Sequence, residues 1–323
     1  MNWKIRPANE NDLEQIEDLH RAIYFPSVVN ERVETIKKVI DKDKSRVDKW
    51  AYVCDLDSKV IGVGVISDFN FFYSPDKRDN PFQGTNIKYK HSAVELTRML
   101  IDSNYQRLGI GTKMSEILHQ TALKVNTPVI YRLQTTQNTG TQKIALRMGY
   151  KPTGILVAVT NNYYNEGKDD LPFHSVIQFM QKEKVENDFV IQDIYVNETT
   201  KPFVELISGI NGMQDVSIKI SDKKYENLDL NINEWNPGFD FSIVDLGFKT
   251  STTRLEKLTE QGFIPTTILP FYKVQFDNNG NGRYHHALAM QRFNIDPRLD
   301  LLKIDEKNSD LVSIRDYIVN SIK

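Results

Sequence analysis

The stretch NYQRLGIGTKMSEILHQTAL, residues 104–123, sets two glycines one residue apart where a strand-like run gives way to a helical one. Upstream, SAVELTRMLI (92–101) reads as a buried strand, and downstream Ile110, Met114, Ile117, Leu118, Ala122 and Val125 mark one face of a helix. The turn between them is Gln106-x-x-Gly109-x-Gly111. Backbone N–H groups at a helix N-terminus lack intrahelical partners and carry the positive end of the helix dipole, so such a turn can hold a phosphate or pyrophosphate. Glycine allows close approach to the main chain and backbone angles closed to other residues. The spacing is neither Gly-x-Gly-x-x-Gly nor a P-loop, since no Lys-Ser or Lys-Thr directly follows Gly111, which disfavours dinucleotide and ATP sites. A tight structural turn is the competing reading.

Working outward, WKIRPA reads as a strand and NENDLEQIEDLHRAI as a helix, with Leu13, Ile16, Leu19 and Ile23 three or four apart behind an Asn or Asp cap. A second helix is expected over 31–42, then a hairpin of two strands joined at DLDSK, then a polar and aromatic insertion over 68–91. After the glycine turn, PVIYRLQTT is a strand, 139–148 a short helix, and KPTGILVAV and HSVIQFM are strands. Strands interleaved with helices predict an α/β or α+β layered domain closing near residue 182, with a mixed central sheet flanked by helices.

A shift of 113 positions lays IYRLQTTQNTGTQKIALRMGYKPTGIL over IVDLGFKTSTTRLEKLTEQGFIPTTIL without a gap. Eight positions coincide, among them Gly149/Gly262, Pro152/Pro265 and Thr153/Thr266. The repeat predicts a tandem structural duplication, with domains 1–182 and 183–323. FVIQDIYV, TTKPFVELISGI and DVSIKIS in the second half contain no counterpart of the glycine turn, so that half is expected to share shape only. Leu311, Ile314, Ile318 and Ile322 predict a C-terminal docking helix over 309–322.

The length of 323 residues fits two domains. With 40% hydrophobic and 26% charged residues the chain should fold, and a net charge of −2 gives no global field for nucleic acid or anionic lipid. The single cysteine, Cys54, excludes an internal disulfide and fits a reducing cytosol. The longest clearly apolar run, VIGVGVI at 60–66, is too short to span a membrane, and no export signal or anchor is visible, so a cytoplasmic protein is expected.

The run ELTRMLIDSNYQRLGIGTKM resembles the coenzyme A loop of the GNAT acetyltransferase family, and NTGTQKIALRMGY resembles that family's Asn-containing helix ending in Gly-aromatic. The resemblance covers about residues 1–182 and implies a GNAT-like fold that binds acetyl-CoA as co-substrate. It implies main-chain contacts to the pyrophosphate from Gln106, Arg107, Leu108, Gly109, Ile110, Gly111 and Thr112. Leu100 and Ile101 would offer backbone groups to the pantetheine arm and thioester carbonyl, and Asn138 would lie near the cofactor. The implied reaction is direct acetyl transfer to a primary amine of a small molecule or peptide. The alternative is a non-catalytic coenzyme A sensor or scaffold. The expected partners are acetyl-CoA and an amine acceptor, with a homodimer allowed and neither nucleic acid nor membrane involved.

Transfer to an amine needs a group to take its proton and, ideally, an acid for the departing thiolate. Glu95, fourteen residues before Gly109, occupies the general-base position of some relatives. On an extended strand it would share a face with Thr97 and Met99; the competing reading is a structural carboxylate paired with Arg98 or a lysine. The family's usual acid, a tyrosine, is Ala145 here, leaving Tyr131 or Tyr150 as nearby substitutes, or unaided departure of the thiolate.

Other signals point to no metal. DNNGNG (277–282) imitates half a calcium loop but has Leu288 where the bidentate glutamate belongs, and His285 and His286, adjacent in a strand, face opposite sides. The aromatic segment 69–91 reads as packing or an acceptor wall, and Asp169 and Asp170 as an exposed acidic loop or an amine attractor.

Overall fold

The computed structural model describes the chain except residues 1, 25, 45–48, 69–92, 126, 128, 137–138, 162–172, 183–189, 192, 214–215, 223–224, 227, 229, 231, 237–238, 277–281, 295–296, 298, 300–301 and 323. The aromatic insertion, Asn138, Asp169, Asp170 and most of DNNGNG therefore lie outside the described residues. The rest packs as two compact units, one formed by described residues up to Leu133 and the other by those from Gln134 onward. This boundary by packing is a different cut from the repeat-based one at residue 182.

The first unit runs β1 (Lys4–Pro7), α1 (Leu13–Arg21), α2 (Pro26–Asp43), β2 (Ala51–Leu56), β3 (Lys59–Asp68), β4 (Val94–Ile101), α3 (Ile110–Lys124) and most of β5 (Val129–Thr135), whose last two residues count with the second unit. Strands β1 to β4 pair antiparallel in sequence order, and β5 adds to β4 in parallel, giving a mixed sheet with helices packed against it. The DLDSK hairpin forms as expected. Asp57 and Ser58 both take positive φ, the two-residue turn whose twist suits flanking strands, and the Asp55 carboxylate accepts from the Ser58 amide at 3.1 Å. Helix α2 begins five residues before the sequence-based start, because Pro26 presets the first turn and needs no amide partner. The entry to α1 is a capping box between Asn9 and Asp12, and Asp12 also accepts two bonds from Arg6, which reaches Asp55 with its Nε at 3.0 Å.

The second unit runs α4 (Thr139–Arg147), β6 (Lys151–Asn161), β7 (Phe173–Lys182), β8 (Val190–Ile191), β9 (Ile194–Val196), α5 (Lys201–Ile210), β10 (Ile218–Ile220), β11 (Asn233–Asn236), β12 (Phe239–Asp245), α6 (Thr250–Glu260), β13 (Ile264–Phe276), β14 (Gly282–Phe293) and α7 (Ser309–Ile322). Its main sheet has the order β7-β6-β13-β14-β12-β11. The 113-residue repeat has a geometric counterpart here. Gly149 and Gly262 end α4 and α6 with φ +85 and +83, and the next amide, of Tyr150 or Phe263, reaches the carbonyl of Ala145 or Leu258 at 3.1 or 3.0 Å. Strands β6 and β13 carry bulges at the same place, between Pro152 and Gly154 and between Pro265 and Thr267, and they pair with each other at Gly154 and Thr267, positions equivalent under the shift. The equivalent buried glutamines, Gln178 and Gln291, each cross that seam, one to the Ile268 carbonyl at 3.2 Å and one to the Val157 carbonyl at 2.8 Å. The seam is thus close to two-fold. Helix α7 buries Leu311, Ile314 and Ile318, the face its spacing predicts.

Candidate active site

Sequence and sheet together shape β4. Its pairing with β3 matches Val65 to Thr97 but Val63 to Leu100, so Arg98 and Met99 together oppose Gly64 in a β-bulge, with Arg98 at φ +53. A Cβ on Gly64 would meet Leu118 Cδ1 at 2.8 Å and Met114 Cγ at 2.9 Å, so this glycine lets α3 approach the sheet. The bulge breaks the strict alternation of the strand. Met99 does not continue the Glu95–Thr97 face; its sulfur meets the Ser115 hydroxyl of α3 at 3.3 Å. Alternating glycines in VIGVGVI are a bulge signal that a plain strand reading passes over.

On its other side β4 pairs with β5 only at Val94–Ile130 and Glu95–Tyr131. Beyond Glu95 the two strands part, which leaves the backbone from Leu96 to Ile101 without a partner strand on the β5 side among the described residues. Leu100 is buried and Ile101 half-buried at the end of this open edge. Across the last pair, Glu95 and Tyr131 are register neighbours on one face. Arg132, buried in β5, donates to the Ser115 hydroxyl at 3.0 Å and so ties α3 to the sheet.

After Ile101 the chain turns through Ser103–Tyr105 and reaches the glycine segment. Gln106, Arg107, Leu108, Gly109 and Thr112 are exposed, Gly111 is half-buried, and Ile110 is buried as the first anchor of α3. Burial of Ile110, Met114 and Leu118 holds the helix in place, each contributing roughly 1.5–3 kcal/mol. Gly109 caps α3 at φ +80, with nothing within 4 Å of where a Cβ would be, and the first turn carries no acidic side chain. The Gly109 carbonyl accepts from the Lys113 amide at 3.0 Å, but the six amides from Arg107 to Thr112 have no partner among the described residues. They form a row of unpartnered donors at the positive end of a helix whose dipole they help build.

The polar groups near Glu95 were largely invisible in the sequence. Burial raises the Glu95 carboxyl above its ordinary range, opposed by Arg98, by a hydrogen bond from Thr97 and by Arg32. Burial likewise holds the Tyr131 phenol well above its ordinary value. His20, fully buried in α1, places Nδ1 2.7 Å from the Ile16 carbonyl; Nδ1 is then the donor, and Nε2 is a buried acceptor with no partner among the described residues. Desolvation lowers its pKa to about 4, helped by Arg32 and Arg98. Neither His20 nor Arg32 stands in a motif, so only their contacts reveal them. Ala145, at the position of the usual acid, is fully buried in α4. His285 and His286 are both buried, and His285 Nδ1 lies 2.9 Å from Asp245. No group of three or more His, Cys, Asp or Glu among the described residues could hold a metal, and no described helix is long and apolar enough to cross a membrane.

Residues 13–150 match the family model described as the acetyltransferase (GNAT) family. No curated protein matches the sequence. Among solved structures the chain is similar to an N-acetyltransferase from Staphylococcus aureus Mu50, at 14% identity and TM-score 0.42 over 56% of this chain and 99% of that one. It is similar to a ribosomal-protein-alanine N-acetyltransferase from Brucella melitensis, at 17% identity and TM-score 0.41 over 56% and 99%. It is also similar to a Salmonella typhimurium protein solved with its cofactor acetyl-CoA, at 15% identity and TM-score 0.41 over 56% and 94%. The family match carries the assignment, and it falls on the segment that contains the parted strands, the amide row and α3. Residues 13–150 are a GNAT acetyltransferase domain, and the chain is an acyltransferase of the N-acetyltransferase type with acetyl-CoA as its acetyl donor.

Proposed function

We propose that the chain transfers the acetyl group of acetyl-CoA to a primary amine of a small molecule or peptide, in a direct ternary complex. The observation that supports this reading most is the row of unpartnered amides from Arg107 to Thr112, which fits the pyrophosphate of coenzyme A. Gln106 closes the row, with its side-chain amide 3.3 Å from the Ile101 carbonyl. Leu100 and Ile101, paired with β3 on one side and left by β5 on the other, are the strand residues this reading sets beside the pantetheine arm. When bound, acetyl-CoA supplies an activated thioester. The protein's part is to fix that thioester against the open strand edge, hold the acceptor in line and move two protons.

In this reading Glu95 takes the proton of the attacking amine. A carboxyl raised by burial is a better base than an ordinary one, because its pKa lies closer to the working pH. Tyr131, its neighbour across the last β4–β5 pair, stays protonated through burial and is the phenol this reading uses to protonate the thiolate, since the family's usual position is Ala145. The second half, 183–323, is read as a degenerate GNAT-like copy, supported by the matched helix ends, bulges and seam of the 113-residue repeat. A cytoplasmic location completes the reading.

The test is release of coenzyme A thiol from acetyl-CoA in the presence of a panel of primary amines, with the product identified by mass. At least one amine should accelerate release and gain one acetyl group. Binding of acetyl-CoA with no acceleration by any amine would favour a coenzyme A sensor instead.

A further inference from the structure

Near Glu95 lies a second feature that proton transfer does not use. Tyr24 is buried, and the Arg32 guanidinium of α2 stacks over its ring at 4.3 Å from the centroid, while His20 packs against the same residue with ring centroids 5.8 Å apart. Stacking holds a guanidinium flat and leaves the N–H groups along its edge available for a planar, bidentate contact. Among the described residues Arg32 makes no hydrogen bond and no ion pair, so those donors are unengaged. Arg98, lifted by the bulge in β4, lies 3.5 Å from the exposed Glu31, a pair that solvent weakens. Both arginines are close enough to Glu95 and to His20 to act on them electrostatically. His20 presents its unpartnered Nε2 in the same neighbourhood, as a buried acceptor for an N–H.

An anion beside two cations and a neutral imidazole acceptor suits a ligand with both signs of charge. We propose that the acceptor bears an oxyanion, a carboxylate or phosphate a few bonds from its amine, and that Arg32, oriented by Tyr24, binds it while the amine faces Glu95. This rests on the acetyl-transfer reading and narrows the acceptor to amino acids or phosphorylated amines. Arg32 thereby becomes a specificity-determining residue. A simple aliphatic amine would leave the guanidinium edge unanswered, and a diamine would meet repulsion there.

The test compares matched acceptors in wild type and Arg32→Gln: an amino acid against its decarboxylated amine, and a phosphorylated amino alcohol against the free amino alcohol. The oxyanion-bearing member of at least one pair should be preferred in kcat/KM by roughly tenfold to a hundredfold, the range of a charge-assisted bond. Arg32→Gln should erase that preference by raising KM for the acceptor while leaving KM for acetyl-CoA unchanged. Which pair responds distinguishes carboxylate from phosphate. Equal or better rates with the uncharged members, or an equal loss for both members in the variant, would overturn the proposal while leaving acetyl transfer intact. If no amine of either kind is acetylated, the acetyl-transfer reading fails, and calorimetry decides the anion site by itself. Heat from the amino acid or phosphate ester on the acetyl-CoA complex, lost in Arg32→Gln, supports it; no heat in wild type overturns it.

Discussion

Gly109→Ala separates the coenzyme site from the stability of the fold. Gly109 has φ +80 and open space beyond its Cα, so an alanine clashes with nothing and pays only for the left-handed backbone, about 1–2 kcal/mol. Gly149 has φ +85 and the same open surroundings, so Gly149→Ala should lose a similar amount for the same reason. The two variants therefore form a matched pair in stability. They differ in what the new methyl occupies. At Gly109 it stands in the middle of the amide row, where the proposed pyrophosphate approaches the main chain, and displacing that ligand from even one charge-assisted bond costs about 1.5–3 kcal/mol, or roughly tenfold to more than a hundredfold in Kd. Urea unfolding measures the first quantity and titration calorimetry with acetyl-CoA the second. Equal losses of stability with weakened binding only in Gly109→Ala are expected. Unchanged affinity in Gly109→Ala, or equal weakening in Gly149→Ala, would refute the reasoning.

Glu95→Gln should lower kcat by at least about a hundredfold at neutral pH, with the Kd for acetyl-CoA unchanged, and should remove the acidic limb of the rate profile, which in wild type lies above the ordinary carboxylate range. The same variant should be more stable than wild type at neutral pH, because a carboxyl with a raised folded pKa stabilises only below its unfolded value and loses that contribution as pH rises. His20 has the opposite sign. Its folded pKa, about 4 against an ordinary 6.5, favours the neutral form, so its contribution is present above pH 6.5 and is lost as pH falls toward 4, by up to about 3 kcal/mol. His20→Gln should flatten that part of the stability–pH curve. Gly154→Ala should be far worse than either surface glycine variant, because its Cβ would sit 2.3 Å from the Thr266 carbonyl oxygen; a loss of about 3 kcal/mol in urea unfolding is expected.

Much of this architecture is legible in local patterns. The hairpin at DLDSK, the helix face from Ile110 to Ala122 and the docking helix at the C-terminus follow from turn chemistry and periodicity, which act over a few residues. The glycine turn is legible because a helix start capped in the left-handed region needs glycine, as at Gly109 with φ +80. What alternation could not give is the bulge at Arg98 and Met99, since a bulge depends on the partner strand and on the glycines of β3 that admit α3. Met99 therefore turns to Ser115 and leaves the expected face. The grouping of His20, Tyr24 and Arg32 near Glu95 arises from long-range packing of α1 and α2 on the sheet, for which no spacing rule exists. The shift of 113 positions aligns Gly154 with Thr267, yet only strand pairing shows that these two positions meet each other.

The central claim is that the amides from Arg107 to Thr112 receive the pyrophosphate of coenzyme A. Amide hydrogen exchange and amide chemical shifts of these residues, followed during titration with acetyl-CoA, test it most directly. Fast exchange in the free protein, with protection and downfield shifts that saturate together with binding, is the expected result. Acetyl-CoA binding that leaves these six amides unshifted and unprotected would contradict the account.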